Sequence, residues 1–259
     1  MGLVDYSSDD EGSGGEETQS KATASALPPL PRGFHDLYAS TVRNSTADDP
    51  SLHQGRHRAI PHVAGQWPSH IYIEWFPLPL EHTRLSQLLA SLRTALGEDA
   101  AFHSFLTSDL GAPLPLHISL SRPFMLTTAE KAQFLTQLVD GIRSSGVGRF
   151  DVAFDGLDWF RSPDSARAFL VLGAIVKGSS SMNEPLMKLL DRSNEQVTAV
   201  GQPALYARKS VDGDDPAVDS SSFHVSVAWT LASNIDAWTD TTRNVYEGWQ
   251  ASRPRSATW

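Results

Sequence analysis

Two short stretches hold residues whose types and spacing could do acid–base chemistry: "LPLHISLSRPF" at 114–124 and "FHVSVAW" at 223–229. Along a β-strand, alternate side chains point the same way. In the first stretch His117, Ser119 and Ser121 therefore share one face, with Leu116, Ile118 and Leu120 on the other. In the second, His224 and Ser226 share a face, with Val225, Val227 and Trp229 opposite. An H-x-S triplet says little alone: nine histidines and 31 serines among 259 residues give about one by chance. The context carries the weight, because both triplets fall inside apolar strands and lie 107 positions apart (224 − 117) in matching halves of the chain.

Imidazole ionises near pH 6.5, so one histidine can be neutral and accept a proton while its partner is charged and donates one. Each role contributes typically 10²–10⁴-fold to rate. A serine hydroxyl two residues along can donate to a non-bridging phosphate oxygen. Two such strands side by side would clamp one phosphodiester with acid and base on opposite sides. That arrangement suits in-line attack by a ribose 2′-hydroxyl, without a metal or other cofactor.

The flanking elements repeat in order. The run "HIYIEWF" at 70–76 reads as a strand, followed by a helix with Leu85, Leu88, Leu89, Leu92 and Leu96 on one face. After the first histidine strand, Thr127 and Glu130 form a capping box for a helix with the stripe Phe134, Leu135, Leu138, Val139 and Ile142. The second half opens with a strand pair, 150–160 and 168–176. Ser181 and Glu184 then cap a helix bearing Leu186, Leu189, Leu190, Val197 and Val200, and the second histidine strand follows. A last helix is expected over 234–251. The pattern predicts an α/β (α+β) fold of two lobes, each a small antiparallel sheet with outer helices, and a cleft between them.

The remainder of the chain sets bounds. With no cysteine, disulfides, thiolate zinc sites and a cysteine nucleophile are excluded. The longest clean apolar run, "FLVLGAIV" at 169–176, is strand-sized and far short of a bilayer span. An acidic start is unlike a secretory signal, so the reading is a soluble intracellular protein. Net charge is −9, of which residues 1–32 carry −4 (six acidic side chains against Lys21 and Arg32), leaving −5 for the other 227. Any nucleic-acid contact should therefore be small and confined to one site. Residues 1–32 read as a disordered acidic tail. Residues 33–259 read as a single bilobal domain, lobe one over about 50–148 and lobe two over about 149–251, with a flexible insertion at 207–222.

Two H-x-[ST] strands in a bilobal chain resemble the two-histidine (2H) phosphoesterases. The segments "HQGRHRAIPHVAGQWPSHIYIEW", "LHISLSR", "QPALY" and "FHVSVAW" resemble more closely the U6 small nuclear RNA phosphodiesterase branch, 3′-to-5′ exoribonucleases. The resemblance implies one-by-one removal of uridines or adenosines from an RNA 3′ end, leaving a 2′,3′-cyclic phosphate that some members open. It implies His117 and His224 as the catalytic pair and Ser119 and Ser226 as phosphate ligands, with Ser121 a further candidate. Tyr206 of "QPALY" would stack on the terminal base, a contact worth roughly 1–3 kcal/mol in single-strand binding. It also implies a monomer acting in the nucleus on the single-stranded, oligouridine end of U6 small nuclear RNA, with no membrane partner. Which histidine is base stays open, with His224 favoured.

Two features depart from that branch. A polar insertion follows Tyr206 and is expected to displace it from the site, and after the last helix the closing strand-rich segment of that branch does not follow, so the second sheet is expected to be incomplete. Other readings are a cyclic phosphodiesterase acting on small 2′,3′-cyclic nucleotides or transfer RNA ends, a non-catalytic RNA-binding splicing factor, and a metal hydrolase using His53, His57 and His62. The last lacks the glutamate of H-E-x-x-H.

Overall fold

The structure is a computed structural model that describes residues 63, 65–97, 100–162, 165–178, 183–206 and 220–251. The expected acidic tail, most of the 207–222 insertion, Ser181 and the histidines at 53, 57 and 62 lie outside the described residues. In chain order the elements are β1 (Gln66–Ser69), β2 (Tyr72–Trp75), α1 (Pro79–Leu96), β3 (His103–Ser104), β4 (Leu116–Ser119), β5 (Phe124–Thr127) and α2 (Glu130–Ser144). There follow β6 (Val152–Arg161), β7 (Ala168–Val176), α3 (Glu184–Ala199), β8 (His224–Thr230) and α4 (Thr239–Ala251).

Five strands pair in the order β2-β4-β8-β7-β6, and β3 joins the edge of β8 beyond β4. All pairings are antiparallel. The two halves therefore meet at β4 and β8, the two histidine strands, which run side by side through Ile118 and Val225. The small sheets of the two halves fuse there into one six-stranded sheet. β1 and β5 form a separate ribbon.

The core explains why the helices take one side. Leu116 and Ile118 of β4, Leu170 and Leu172 of β7 and Val225 and Val227 of β8 point to one face. There they meet Leu85, Leu88, Leu89 and Leu92 of α1, Leu186 and Leu190 of α3, and Tyr246 of α4. Burial of such side chains, about 1.5–3 kcal/mol each, is what holds the helices to the sheet. A second cluster packs Phe124 and Leu126 of β5 against Phe134 and Leu138 of α2 and Val197 of α3. Helix α3 thus touches both cores and bridges the halves. Leu135, counted in the α2 stripe, is 61% exposed and takes no part.

Local chemistry sets the helix ends. Pro79 occupies the first turn of α1, where its missing N–H costs nothing, and Glu81 accepts the backbone N–H of Leu78 at 2.8 Å. The Glu130 carboxylate accepts both the backbone N–H (2.8 Å) and the hydroxyl (2.7 Å) of Thr127 and joins β5 to α2. These bonds hold its pKa below the usual carboxylate range. At the start of α3 Asn183 is buried, with Oδ1 accepting from the Val176 N–H and Nδ2 donating to the Ala174 carbonyl. Helix α4 braces β6 through Trp159 Nε1 to Thr242 Oγ1 (3.0 Å) and Tyr246 Oη to the Phe154 carbonyl (3.1 Å).

Two irregularities shape the open face. Between Phe154 and Leu157 β6 carries a bulge in which Gly156 has φ +82°. Opposite it, a Cβ on Gly173 would lie 2.3 Å from the Asp155 carbonyl oxygen, so only glycine fits beside His224, its partner on β8. A register shift in the β7–β8 ladder pairs Leu170 with Ala228 but Val171 with Ser226, leaving Val227 as the extra residue. That shift resets the alternation. Trp229 pairs with Phe169 and lies on the histidine face, not with Val225 and Val227 as simple alternation predicted.

Candidate active site

The register brings the two triplets together. Ile118 faces Val225, so counting outward in an antiparallel pair sets His117 across from Ser226 and Ser119 across from His224. All four point away from the helical core. The histidines occupy diagonal positions, for which Cβ separations run about 7–8 Å. A single tetrahedral phosphate fits between imidazoles at that spacing.

Their surroundings differ. The Nδ1 of His224 lies 2.7 Å from the Ser222 carbonyl. A carbonyl only accepts, so Nδ1 carries the hydrogen and Nε2 of the neutral ring keeps its lone pair. Burial lowers the His224 pKa from the ordinary 6.5, partly offset by that bond. His117 is also lowered, first by burial and then by the nearby His224, while Glu74 across on β2 pulls it up. His117 is the more exposed of the two and the one with a carboxylate beside it.

Around His117 stand rings that strand alternation alone did not single out. Tyr72 lies 5.1 Å and His70 5.4 Å from it, centroid to centroid, and the two are 5.2 Å from each other. His70 is itself lowered by burial and by His117, against a hydrogen bond to the Ser121 backbone. Tyr72 pairs with Ser119 on the neighbouring strand, so the signal for it was a register and not a motif.

Ser121 does not join the group. β4 ends at Ser119, and Ser121 is buried at 1%, its Oγ accepting the Ile71 N–H at 2.8 Å. The three-serine face read from alternation is therefore shortened to His117 and Ser119, because the chain leaves the strand to turn toward β5.

Tyr206 stands 6.4 Å from His224 and edge-on to Phe223 at 5.9 Å. The insertion after it does not pull it away. Asn194 of α3 clamps the preceding residue, donating Nδ2 to the Leu205 carbonyl (3.1 Å) and accepting the Leu205 N–H (2.8 Å). Tyr206 itself has φ +58°, a left-handed conformation unusual for a bulky residue and held by these bonds. Burial pushes its hydroxyl up to about 12, so it stays protonated. Phe160 reaches the same imidazole from β6, 6.1 Å away.

The sequence signature of a family described as HVSL, an uncharacterised conserved protein, matches residues 28–256. The chain belongs to the HVSL family. Among curated relatives, this HVSL chain is 39% identical over 243 residues to U6 snRNA phosphodiesterase 1 of Neurospora crassa, covering 87% of itself and 65% of that protein. It is 30% identical over 136 residues to the protein of the same name in Schizosaccharomyces pombe, covering 52% of itself and 48% of the relative. The chain thus spans about half to two thirds of the length of these relatives. Their names are those of the branch that the quoted segments resemble. A solved structure, Kluyveromyces marxianus Usb1 with uridine monophosphate, aligns with a TM-score of 0.45 and 19% identity over 68% of this chain and 80% of that one.

Among the described residues of the HVSL chain, no group of three or more His, Asp or Glu side chains is placed to hold a metal ion. No described helix is long and apolar enough to cross a membrane.

Proposed function

We propose that the chain is a 3′-to-5′ exoribonuclease that trims the oligouridine end of U6 small nuclear RNA, acting as a monomer in the nucleus. The observation that supports this reading is the pairing of β4 with β8, from which His117 and His224 fall on diagonal positions of neighbouring strands, each across from the other strand's serine. Neutral His224 takes the proton of the penultimate ribose 2′-hydroxyl through Nε2. The 2′-oxygen attacks phosphorus as the bond to the terminal 5′-oxygen breaks, and His117, protonated, gives its proton to that leaving oxygen. The products are a free terminal nucleoside and an RNA ending in a 2′,3′-cyclic phosphate. Ser119 and Ser226 donate hydrogen bonds to the non-bridging oxygens, whose charge grows in the transition state. Tyr206 offers its ring to the terminal base. The bond-making groups all come from the protein and the substrate.

Mass spectrometry of products from a 3′-oligouridine RNA, with and without chelator, tests this. We expect a ladder of shortened RNAs with cyclic phosphate ends, unchanged by chelator, and no cleavage where the attacking ribose is 2′-deoxy. Full inhibition by chelator, or trimming of all-DNA ends, rules the mechanism out.

A further inference from the structure

The two histidines of the site are oriented by different means. His224 has its Nδ1 on the Ser222 carbonyl. Among the described residues no hydrogen bond reaches the His117 ring. An imidazole without a bonded nitrogen takes its plane from its neighbours, because the last torsion of histidine is broad and roughly two-fold. Two rings border His117. Tyr72 lies 5.1 Å away, tilted by 52°, and His70 lies 5.4 Å away at 86°, edge against face. Edge-to-face contact at that distance is a favoured aromatic arrangement.

Of these two walls His70 is the anchored one. Tyr72 is 45% exposed on β2, an outer strand of the sheet. His70 is half-buried in the connection from β1 to β2, and that connection is fastened to the turn after β4. The Ile71 N–H donates to Ser121 Oγ (2.8 Å), and the Ile71 carbonyl accepts the N–H groups of Leu120 (2.8 Å) and Ser121 (3.1 Å). The Ile71 side chain packs against both the core of the large sheet and the cluster of β5 and α2. The His70 ring itself is bonded to the Ser121 backbone. His70 thus stands on a segment tied to the turn that ends the His117 strand, so the two rings keep their spacing. Burial and the neighbouring His117 both hold the His70 pKa below the ordinary 6.5. It stays neutral beside a charged His117 and supplies shape, not a second acid.

Resting on the function proposed above, we infer that His70 is a positioning residue, whose anchored ring sets the plane of the His117 imidazole so that a ring nitrogen meets the scissile phosphodiester. It acts through His117 alone.

The test separates aim from scaffold. His70→Ala, which removes the ring and leaves the Ile71 bonds, lowers kcat on oligouridine RNA by about 10- to 10²-fold, the cost of a reacting group held slightly out of place. KM stays where it was. In a His117→Ala background the same change costs nothing further, because no imidazole is left to aim. On RNA with sulfur at the leaving 5′ position His70→Ala regains rate to the same degree as His117→Ala does. His70→Phe, which keeps a ring in that place, retains most of the parent rate. Urea denaturation checks each fold. If His70→Ala does not fold, His70→Asn, which removes the ring and keeps a donor, takes its place. NMR of the His117 ring reads the same contact without substrate. Burial holds the His117 pKa below 6.5, so opening that wall to water moves it up toward 6.5, while Tyr72 and Glu74 on β2 and His224 on β8 still face it. A kcat loss that adds in full to that of His117→Ala, a risen KM at unchanged kcat, or an unmoved His117 signal in a folded variant each overturns the role. Absent turnover by the parent chain sinks the exonuclease reading and leaves the NMR readout intact.

Discussion

The two histidine strands are near copies in sequence and sit in unlike surroundings. His224 is tucked between Tyr206, Phe160 and Gly173, with Nδ1 fixed on a backbone carbonyl. His117 is more open, flanked by Tyr72 and His70 and facing Glu74. A symmetric pair of strands thus carries an asymmetric pair of imidazoles: burial lowers both, but one has its Nδ1 fixed on a carbonyl and the other has a carboxylate that pulls its pKa back up. The two like strands supply the geometry, and their neighbours set the rings apart in the way the proposed roles require.

The sharpest way to break that comparison is to remove each ring. His117→Ala and His224→Ala should each cut kcat by at least 10²–10⁴-fold, and the double variant should cost little more than the worse single, since the two act on one event. An RNA with sulfur in place of the leaving 5′-oxygen separates the roles, because a thiolate leaves without a proton. His117→Ala should regain most of its rate on that substrate and His224→Ala should not. Equal rescue of both, or rescue of His224→Ala alone, reverses the assignment.

Next in size are the hydroxyls. Ser119 and Ser226 each oppose the other strand's histidine, so Ser119→Ala and Ser226→Ala should lower kcat comparably, by about 10²-fold, as expected for loss of one donor to a developing oxyanion. A large split between them in single-turnover kinetics would show that the phosphate lies off the centre of the β4–β8 pair.

A smaller effect concerns pH. A base must be neutral and an acid protonated, and both histidines sit below the ordinary 6.5 in the free protein. The bell of kcat/KM against pH should therefore peak on the acid side of 6.5, and the bell of kcat should move to higher pH, since a bound phosphodiester anion favours both charged rings. Glu74 raises His117 only. Glu74→Gln should shift the alkaline limb further down and leave the acid limb where it is. Movement of the acid limb would mean that the carboxylate serves the base.

Strand alternation made His117, Ser119, His224 and Ser226 legible, because a β-strand turns spacing into facing with no further information. Alternation failed at Trp229 because a bulge adds a residue that no propensity marks, and at Ser121 because nothing in "SLSRPF" says where the strand ends. Helices α1, α2 and α3 were legible through the spacing of their apolar residues. β1, β3 and β5 were missed: they are two to four residues long, and β1 carries Pro68. Tyr72 and Glu74 enter the site through register, a relation between strands that a single strand's pattern cannot hold, and His70 enters from the connection between β1 and β2. Tyr206 stays beside His224 because Asn194 on a different element clamps its neighbour.

The smallest predicted effect on rate separates the structural serine from the two proposed to bind phosphate. Ser121 has the same residue type and parity as Ser119, yet its Oγ accepts the Ile71 N–H inside the protein. Ser121→Ala leaves that N–H buried without its acceptor, which costs about 1–3 kcal/mol of stability. It should lower the denaturation midpoint in urea while kcat on oligouridine stays where it was. Ser119→Ala should do the reverse, since a half-exposed hydroxyl on the open face contributes little to folding. If Ser121→Ala instead lowers kcat at unchanged stability, the strand runs on past Ser119 when RNA binds, and the three-serine face is restored in the working state.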